Sequence, residues 1–181
     1  MKKIFETDYL FLREMTDDDF ESLKRILKSN DESVTDEYVK KWIDWCKSSY
    51  EKNGFGQWAV VLQETGEMIA SCGVSMQYID DEWKPELGYH LRKDLQRKGI
   101  GTSMSLAAMR YFFKTYNYDE LYSYMEETNI ASIKLAESIE MTYLHKFVTK
   151  DGKTCRVYRI ERDDWEMMVF TKIYLMNRHI L

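Results

Sequence analysis

The stretch Asp94-Leu95-Gln96-Arg97-Lys98-Gly99-Ile100-Gly101-Thr102 decides how the chain is interpreted, because it joins a β-type segment to a helix-type segment through two glycines. Glycine has no Cβ atom, so an anion can approach the backbone closely. The first amides of a helix have no helical carbonyl to bind, and the helix dipole is positive at that end. Arg97 and Lys98 add positive charge. These features favour a phosphate-binding loop, although a tight strand-to-helix turn without a ligand has the same glycine spacing.

Other nucleotide-binding and catalytic patterns are absent. Gly101 is followed by Thr102 and Ser103, so the loop is not a Walker A motif, and there is no G-x-G-x-x-G fingerprint. The chain has no G-x-S-x-G elbow of a serine hydrolase. No group of histidines, cysteines and carboxylates has metal-ligand spacing, so we predict no metal site. The histidines are scattered: His90, His145 and His179.

Segments with strand-like and helix-like patterns alternate around the loop. Strands are predicted where β-branched and aromatic residues dominate: 9–15, 57–63, 68–78, 86–91, 121–125, 141–148 and 154–160. Helices are predicted after Thr16 with an apolar stripe over 20–27, after Thr35 to about residue 51, over 101–115 and over 130–139. Hairpin turns are expected at 64–66 and 151–152. This order predicts an α/β (α+β) fold, with a mixed sheet and helices on both faces.

The length of 181 residues, with 44% hydrophobic residues and a single proline, predicts one domain over 1–181. Residues 163–181 form a predicted C-terminal extension that packs on this domain as a lid. A contact in a homodimer is the open alternative for the same segment.

The charge and cysteine content limit the partners and the compartment. A net charge of -5 argues against nucleic-acid binding, which depends on clustered lysines and arginines, and favours a cationic partner. Three widely spaced cysteines make neither a disulfide framework nor a metal motif. No apolar run reaches the length of a membrane span. We therefore expect a soluble, cytoplasmic protein without a membrane partner.

The loop resembles the Q/R-x-x-G-x-G/A signature of the GNAT (GCN5-related N-acetyltransferase) superfamily, matched by Gln96, Gly99 and Gly101. Two further segments are similar to family motifs in the same order: Glu-Leu-Gly-Tyr-His-Leu at 86–91 and Asn-Ile-Ala-Ser at 129–132. The segment 158–165 is similar to the end of the ribosomal-protein alanine N-acetyltransferase (RimJ/RimL-type) branch. The resemblance covers nearly the whole chain, from residue 9 to 165.

This resemblance implies a GNAT-like, mostly antiparallel sheet that splays between its fourth and fifth predicted strands, 86–91 and 121–125. It implies acetyl-coenzyme A as cosubstrate and the transfer of acetyl to a primary amine by direct attack. The cofactor-binding positions that it implies are Leu91, Arg92, Lys93, Gln96, Arg97, Lys98, Gly99, Ile100, Gly101, Thr102, Asn129 and Ser132.

Glu86 is the candidate catalytic base, or the group that binds the amine, because it can place a negative charge on a strand beside the implied opening of the sheet. Strand side chains alternate, so a register error of one residue would leave Glu86 in solvent. Glu126 and Glu127, at the end of the next strand, are reserve candidates.

Ser132 is the candidate acid, since a thiol titrates near about 8.5 and a weak donor can protonate it. Asn129 and Ser132 could equally mark a helix start, with Asn129 as the cap. Many relatives carry a tyrosine acid on this helix before a Gly-Phe pair, but Ala136 and Glu140-Met141 stand there.

Two functions therefore stay open. The first is acetylation of a primary amine: a protein N-terminus, such as that of a ribosomal protein, a polyamine or an aminoglycoside. The second is a catalytically weak or inactive acyl-CoA-binding module, suggested by the missing tyrosine. The acceptor pocket, or alternatively the core, would contain four aromatic residues: Trp42, Trp45, Phe55 and Trp58.

Overall fold

The computed structural model describes residues 3–149 and 152–168. Its strands are β1 Lys3–Glu6, β2 Leu10–Arg13, β3 Gln57–Leu62, β4 Met68–Ile79, β5 Glu82–Leu91, β6 Glu120–Glu126, β7 Thr142–Val148 and β8 Thr154–Glu161. Its α-helices include α1 Phe20–Lys28, α2 Asp36–Asn53, α3 Ile100–Thr115 and α4 Ile130–Ser138. The strands form an eight-stranded sheet in the order β1-β2-β3-β4-β5-β6-β8-β7. The predicted α/β class with a mixed, mostly antiparallel sheet is confirmed.

Contacts divide the chain into two compact units, and each has its own part of the sheet. The first unit comprises the described residues of Met1–Met76 with Leu87–Thr115, and the second those of Gln77–Glu86 with Tyr116–Leu181. Strand β5 contributes residues to both units. The expectation of a single domain over 1–181 stays a prediction, as does the splay of the sheet.

Helices α1 and α2 of the first unit begin and end where the sequence indicates. The Thr35 hydroxyl accepts a hydrogen bond from the Tyr38 amide at 3.2 Å and caps α2. Gly54 ends α2 with φ of 77°, a left-handed conformation that glycine adopts without strain. The predicted apolar stripe of α1 is buried at Leu23, Ile26 and Leu27, so α1 faces the core as the periodicity requires.

Aromatic contacts hold α3 in the core of the first unit. Trp58 on β3 meets Tyr111 of α3 at 5.3 Å between ring centroids. Phe55 meets Phe112 at 5.2 Å. Phe55 and Trp58 are each only 1% exposed, so they fill the core. Because α3 follows the candidate loop directly, this packing also fixes the position of the loop.

The second unit contains the parallel pair of the sheet and the closing hairpin. Strands β5 and β6 are parallel, with Glu86 in register with Tyr122. Strand β8 pairs antiparallel with both β6 and β7, so the predicted hairpin of 141–148 with 154–160 is confirmed. Its predicted turn residue Asp151 lies outside the described residues, and so does 169–181 of the predicted C-terminal extension. Residues 162–168 are helical, with Trp165 buried.

Two strand boundaries differ from the sequence-based expectation. Strand β1 was not predicted, and it lies at the edge of the sheet against β2 with an irregular register. Strand β5 starts at Glu82 rather than at Glu86. The turn before it is made by Asp80 and Asp81, with φ of 53° and 62°. Aspartate tolerates this left-handed conformation better than most residues, so β4 and β5 join through a tight turn.

No helix in the described part of the chain is long and apolar enough to cross a membrane. The three cysteines are buried as free thiols. Burial raises the pKa of Cys46 to about 12, so this thiol stays protonated at neutral pH.

Candidate functional site

The carbonyl group of Leu91, at the end of β5, fixes the candidate loop to the first unit. The side-chain amide of Gln96 donates to this carbonyl at 3.3 Å and to Asn30 Oδ1 at 3.0 Å. Asn30 Nδ2 donates to the same carbonyl at 3.1 Å. The glutamine of the predicted motif is therefore an anchor that ties the loop to the strand end and to the segment after α1. Sequence reasoning missed Asn30, because it lies 66 residues from Gln96 in a segment without a motif.

Two left-handed backbone positions shape the loop. Arg97 has φ of 58° and Gly99 has φ of 78°. A Cβ atom built on Gly99 would have no neighbour within 4 Å, so open space lies beside this glycine. Gly99 is therefore required by its backbone conformation and not by crowding. Left-handed residues within a turn bring successive amides toward one side, which is a geometry that binds anions.

Helix α3 begins directly after Gly99. The Ser103 amide donates to the Gly99 carbonyl at 3.1 Å and makes the first hydrogen bond of the helical ladder. The amides of Ile100 and Gly101 precede this bond, so helix geometry gives them no carbonyl partner. Ile100, Gly101 and Thr102 are partly buried, whereas Arg97 and Lys98 are exposed. The predicted loop thus combines a helix N-terminus with two cationic side chains.

The backbone from Leu91 to Lys93, which the family resemblance assigns to cofactor binding, already makes hydrogen bonds in the first unit. The Arg92 amide donates to the Ile69 carbonyl at 3.2 Å. The Lys93 amide donates to Ser29 Oγ at 3.1 Å. A carbonyl oxygen has two lone pairs, so the carbonyls can still accept a second bond. The assignment of this segment to cofactor binding stays a prediction.

Arg92 is held by carboxylates. Its guanidinium group pairs with Glu67 and, at 2.7 Å, with Asp94. The hydrogen bonds that Arg92 donates to Asp94 and Glu67 raise the pKa of Arg92 against the opposing effect of burial. Two carboxylates therefore hold Arg92 in place at the loop entrance, and its assignment to cofactor binding stays a prediction.

Glu86 lies in the second unit and is buried, with 8% of its surface exposed. Burial raises the pKa of Glu86 to about 8, and a hydrogen bond with the Tyr124 backbone opposes this rise. A carboxyl group with such a pKa is a mixture of acid and carboxylate near neutral pH, which suits a group that accepts protons during catalysis. The alternative in which Glu86 points into solvent is wrong.

The reserve carboxylates Glu126 and Glu127 have cationic partners. Lys153 Nζ lies 2.5 Å from Glu126 and Lys146 Nζ lies 2.5 Å from Glu127. The hydrogen bond from Lys146 lowers the pKa of Glu127. A carboxylate with a lowered pKa is a weaker base than Glu86 at neutral pH, so the structure favours Glu86.

Asn129 caps α4, which is one of the two interpretations that the sequence left open for the Asn-x-x-Ser motif. Its Oδ1 atom accepts a hydrogen bond from the Ser132 amide at 3.1 Å. Asn129 is exposed and Ser132 is partly buried. The capping bond explains the Asn-x-x-Ser spacing and leaves the hydroxyl group of Ser132 outside the cap. The role of Ser132 as an acid stays a prediction.

Two tyrosines and one histidine near these segments have structural contacts. Tyr124 packs on Phe147 at 5.5 Å between centroids, and Tyr143 packs on Tyr158 at 5.7 Å. His145 Nε2 lies 2.9 Å from Asp80. Within 3–149 and 152–168, no group of three or more histidine, cysteine, aspartate or glutamate residues is arranged to hold a metal ion.

Comparison with known proteins adds an independent finding. A family model described as an acetyltransferase (GNAT) domain matches residues 9–142. The protein YkkB of Bacillus subtilis (strain 168) is 28% identical over 160 residues, which cover 84% of this chain and 92% of YkkB.

Solved structures with this fold include an acetyltransferase from Agrobacterium tumefaciens, with a TM-score of 0.76 and 23% identity over 89% of this chain and 95% of that chain. They also include RimL, a ribosomal L7/L12 alpha-N-protein acetyltransferase in complex with coenzyme A. Its TM-score is 0.73 with 16% identity, over 90% of this chain and 99% of that chain. At these identities the structural likeness shows the fold.

Proposed function

The chain belongs to the GNAT acetyltransferase family, and from this premise we propose that it transfers the acetyl group of acetyl-coenzyme A to the α-amine of a protein N-terminus. The observation that carries the proposal is Glu86, a buried carboxyl group with a pKa raised to about 8. Polyamines and aminoglycosides are the alternative acceptors.

The candidate loop fits the phosphates of coenzyme A. Open space lies beside Gly99, and the amides of Ile100 and Gly101 have no helical partner. Arg97 and Lys98 are exposed and can neutralise phosphate charge. The related fold of RimL, solved with coenzyme A, supports this assignment.

Glu86 would remove the proton from the attacking amine. When bound, acetyl-coenzyme A supplies the electrophilic thioester carbonyl. An ammonium group has no lone pair, so the amine must lose a proton to a base before it can attack. Ser132 Oγ would donate toward the leaving sulfur, whose thiol has an ordinary pKa of about 8.5.

The raised pKa of Glu86 supports an α-amine as the acceptor. An α-ammonium group has a pKa of roughly 7.7–8.0, close to that of Glu86, so proton transfer costs little free energy. A lysine-type amine, with a pKa of about 10.4, would have to give its proton to a group that is the weaker base of the two by roughly two pKa units. This difference favours a protein N-terminus over a polyamine.

The proposal includes a cytoplasmic location, supported by three cysteines that are buried as free thiols. It includes a peptide or small-molecule partner and no nucleic acid, because the net charge is -5. A homodimer stays a prediction.

The test is thiol release from acetyl-coenzyme A with three acceptors: an Ala-Ala-Ala tripeptide amide, spermidine and kanamycin. We expect turnover with the tripeptide and a mass gain of one acetyl group at its N-terminus. Glu86→Gln should lower kcat/KM at least about tenfold, because it cannot accept the proton. Glu127→Gln, the same change at a partly exposed position paired with Lys146, is the matched control. If the protein binds acetyl-coenzyme A but releases no thiol with any of the amines, it is instead an inactive binding module.

A further inference from the structure

Two large aromatic side chains flank the turn that joins β4 to β5 in the second unit. The rings of Tyr78 and Trp83 meet with 5.6 Å between centroids and an angle of 64°. Tyr78 is 52% exposed and Trp83 is 68% exposed, whereas Trp58 and Trp165 are buried. Because tryptophan and tyrosine are enriched where proteins bind partners, an exposed pair on one turn is a candidate contact surface.

The turn that carries this pair is short and held in place. Asp80 and Asp81 have φ of 53° and 62°, and two left-handed residues form the hairpin turn whose twist matches that of the strands. The Asp80 carboxylate lies 2.9 Å from His145 Nε2 on β7 and 3.8 Å from Lys84 Nζ. These contacts tie the turn to the rest of the second unit. A surface that is already ordered loses little conformational freedom when a partner binds.

Two exposed carboxylates accompany the aromatic pair. Asp81 is exposed, and the side chain of Glu82 is 74% exposed. Lys84 Nζ lies 3.6 Å from Glu82 and 4.9 Å from the centroid of the Tyr122 ring, and the Lys84 side chain is only 16% exposed. This lysine therefore offers little positive charge to solvent. The name β4–β5 tip is used here for four residues: Tyr78, Asp81, Glu82 and Trp83.

The charge of the β4–β5 tip argues against three kinds of partner that exposed aromatic residues also bind. An anionic membrane surface would repel Asp81 and Glu82, and so would the phosphates of a nucleic acid. A symmetric contact between two copies of the chain, centred on the tip, would bring the same negative charges together. A cationic group, in contrast, is attracted by the carboxylates and by the faces of the rings. The tip is thus complementary to a partner with positive charge.

We propose that the β4–β5 tip docks an arginine side chain from an extended basic segment of a partner protein. A guanidinium group is planar, so it can stack on the Trp83 ring while its N–H groups donate to Asp81 or Glu82. An ammonium group supplies the charge but not the flat surface, so arginine fits the tip better than lysine. The inference goes beyond the proposed function and does not depend on it, because the tip contains none of the residues assigned to the cofactor or to catalysis.

The experiment uses a peptide that cannot serve as an acceptor amine, acetyl-Gly-Arg-Gly-Arg-Gly-amide. Its matched control replaces both arginines by citrulline, which has nearly the same shape and no charge. Binding at low salt is followed by NMR through the backbone amide signals of residues 77–84 and the indole N–H signal of Trp83. We expect the arginine peptide to shift these signals with a Kd of about 1 mM or lower, and the citrulline peptide to bind at least about fivefold more weakly.

Two pairs of variants separate the ring from the charge. Trp83→Ala removes the ring, and its control Tyr143→Ala removes another exposed ring in the same unit. Asp81→Asn removes one exposed carboxylate, and its control Asp44→Asn makes the same change in net charge on α2, where the side chain is 73% exposed. Read from the backbone amides, the Kd should rise at least about threefold in Trp83→Ala and about twofold in Asp81→Asn. Both controls should bind like the unmodified protein, and all four variants should keep its melting temperature.

Equal binding of the arginine and citrulline peptides, or no binding of either, would overturn the inference. Equal effects of Asp81→Asn and Asp44→Asn would also overturn it, because they would show a general attraction between opposite charges. Shifts at residues 77–84 with phosphatidylglycerol vesicles, with a single-stranded oligonucleotide or with rising protein concentration, but not with the arginine peptide, would assign the tip to a different partner. A protein that binds the arginine peptide but acetylates no amine would refute the proposed function and leave this inference intact.

Discussion

Gln96 in the candidate loop and Asn30 after α1 are joined side chain to side chain, with Gln96 Nε2 donating to Asn30 Oδ1 at 3.0 Å. Asn30 also donates to the carbonyls of Ile26 and Leu91, at 3.0 and 3.1 Å. One amide side chain thus connects a helix end, a strand end and the loop. Because these bonds fix the loop before any ligand arrives, they reduce the entropy that binding has to overcome.

Asn30→Ala should weaken acetyl-coenzyme A binding without unfolding the protein. The variant loses the bonds to Gln96 and Leu91, so the loop becomes less ordered, and we expect the Kd for acetyl-coenzyme A to rise about three- to tenfold. Titration calorimetry with acetyl-coenzyme A measures the effect directly. Asn117→Ala, at an exposed asparagine, is the control and should bind like the unmodified protein. Unchanged affinity of Asn30→Ala would contradict the anchoring role.

Gly101→Glu should abolish acetyl-coenzyme A binding. The change puts a carboxylate in the first turn of α3, where the loop is proposed to hold phosphates, so the ligand meets both a side chain and a like charge. The helix itself should tolerate it, because acidic residues are stabilising near a helix N-terminus. Thr115→Glu adds the same charge at the other end of α3 and should bind normally. Normal binding by Gly101→Glu, with the melting temperature unchanged, would place the cofactor elsewhere.

Local patterns explain why much of this fold could be predicted. The caps at Thr35 and Gly54, and the two glycines of the loop, act through bonds within a few residues, so their signals lie in contiguous sequence. Strand β1 was missed because a four-residue edge strand is defined by its pairing with β2 and not by its own residues. The start of β5 was missed because Pro85 interrupts the strand pattern that leads to Glu86.

In the candidate site, too, features set by local sequence could be predicted and features set by tertiary packing could not. The loop was predictable from its motif, but its anchor Asn30 was not, because the partners are distant in sequence. The burial of Glu86 depends on packing within the second unit, which one strand segment does not reveal.

Asp19→Asn should destabilise the first unit strongly. Two charge-assisted bonds join Arg13 and Asp19, at 2.6 and 2.5 Å, and the Asp19 side chain is only 5% exposed. The variant leaves the Arg13 charge buried and poorly paired, so we expect a loss of about 3–5 kcal/mol in the free energy of unfolding by urea. Glu37→Gln, in an exposed pair with Lys41, is the control and should change stability little.

The same pair gives a pH dependence with a definite sign. Burial acts to raise the pKa of Asp19, but hydrogen bonds from Arg13 and Thr16 outweigh it and hold the pKa below the usual 3.8. The carboxylate therefore contributes its full stability above pH 3.8 and loses it as the pH falls through the folded-state pKa. Asp19→Asn should lack this acid-dependent loss in urea titrations carried out at decreasing pH.

Glu86 predicts the pH dependence of catalysis. Its burial raises its pKa to about 8, so the proton-accepting carboxylate is a small fraction at acid pH and dominates only above that value. The acceptor amine titrates in the same way with both proteins, so its effect cancels in the ratio of their kcat/KM values. The pH dependence of the ratio between the unmodified protein and Glu86→Gln therefore reports the titration of Glu86 alone. This ratio should rise with pH and reach at least about tenfold above pH 8. A ratio that stays constant with pH would show that Glu86 takes no proton.

The free energy of unfolding provides a second measurement on Glu86→Gln. In the unmodified protein it should fall with rising pH, whereas the kcat/KM ratio should rise. The folded-state pKa of Glu86 lies above its ordinary value of 4.5, so between 4.5 and about 8 the folded protein binds more protons than the unfolded chain. The free energy of unfolding must therefore fall as the pH rises through this window. Glu86→Gln removes the titration and should lose that pH-dependent fall, while its catalysis is impaired. A variant that is less active but at least as stable at pH 8 separates a role in proton transfer from a role in folding, because a purely structural residue would lose both together.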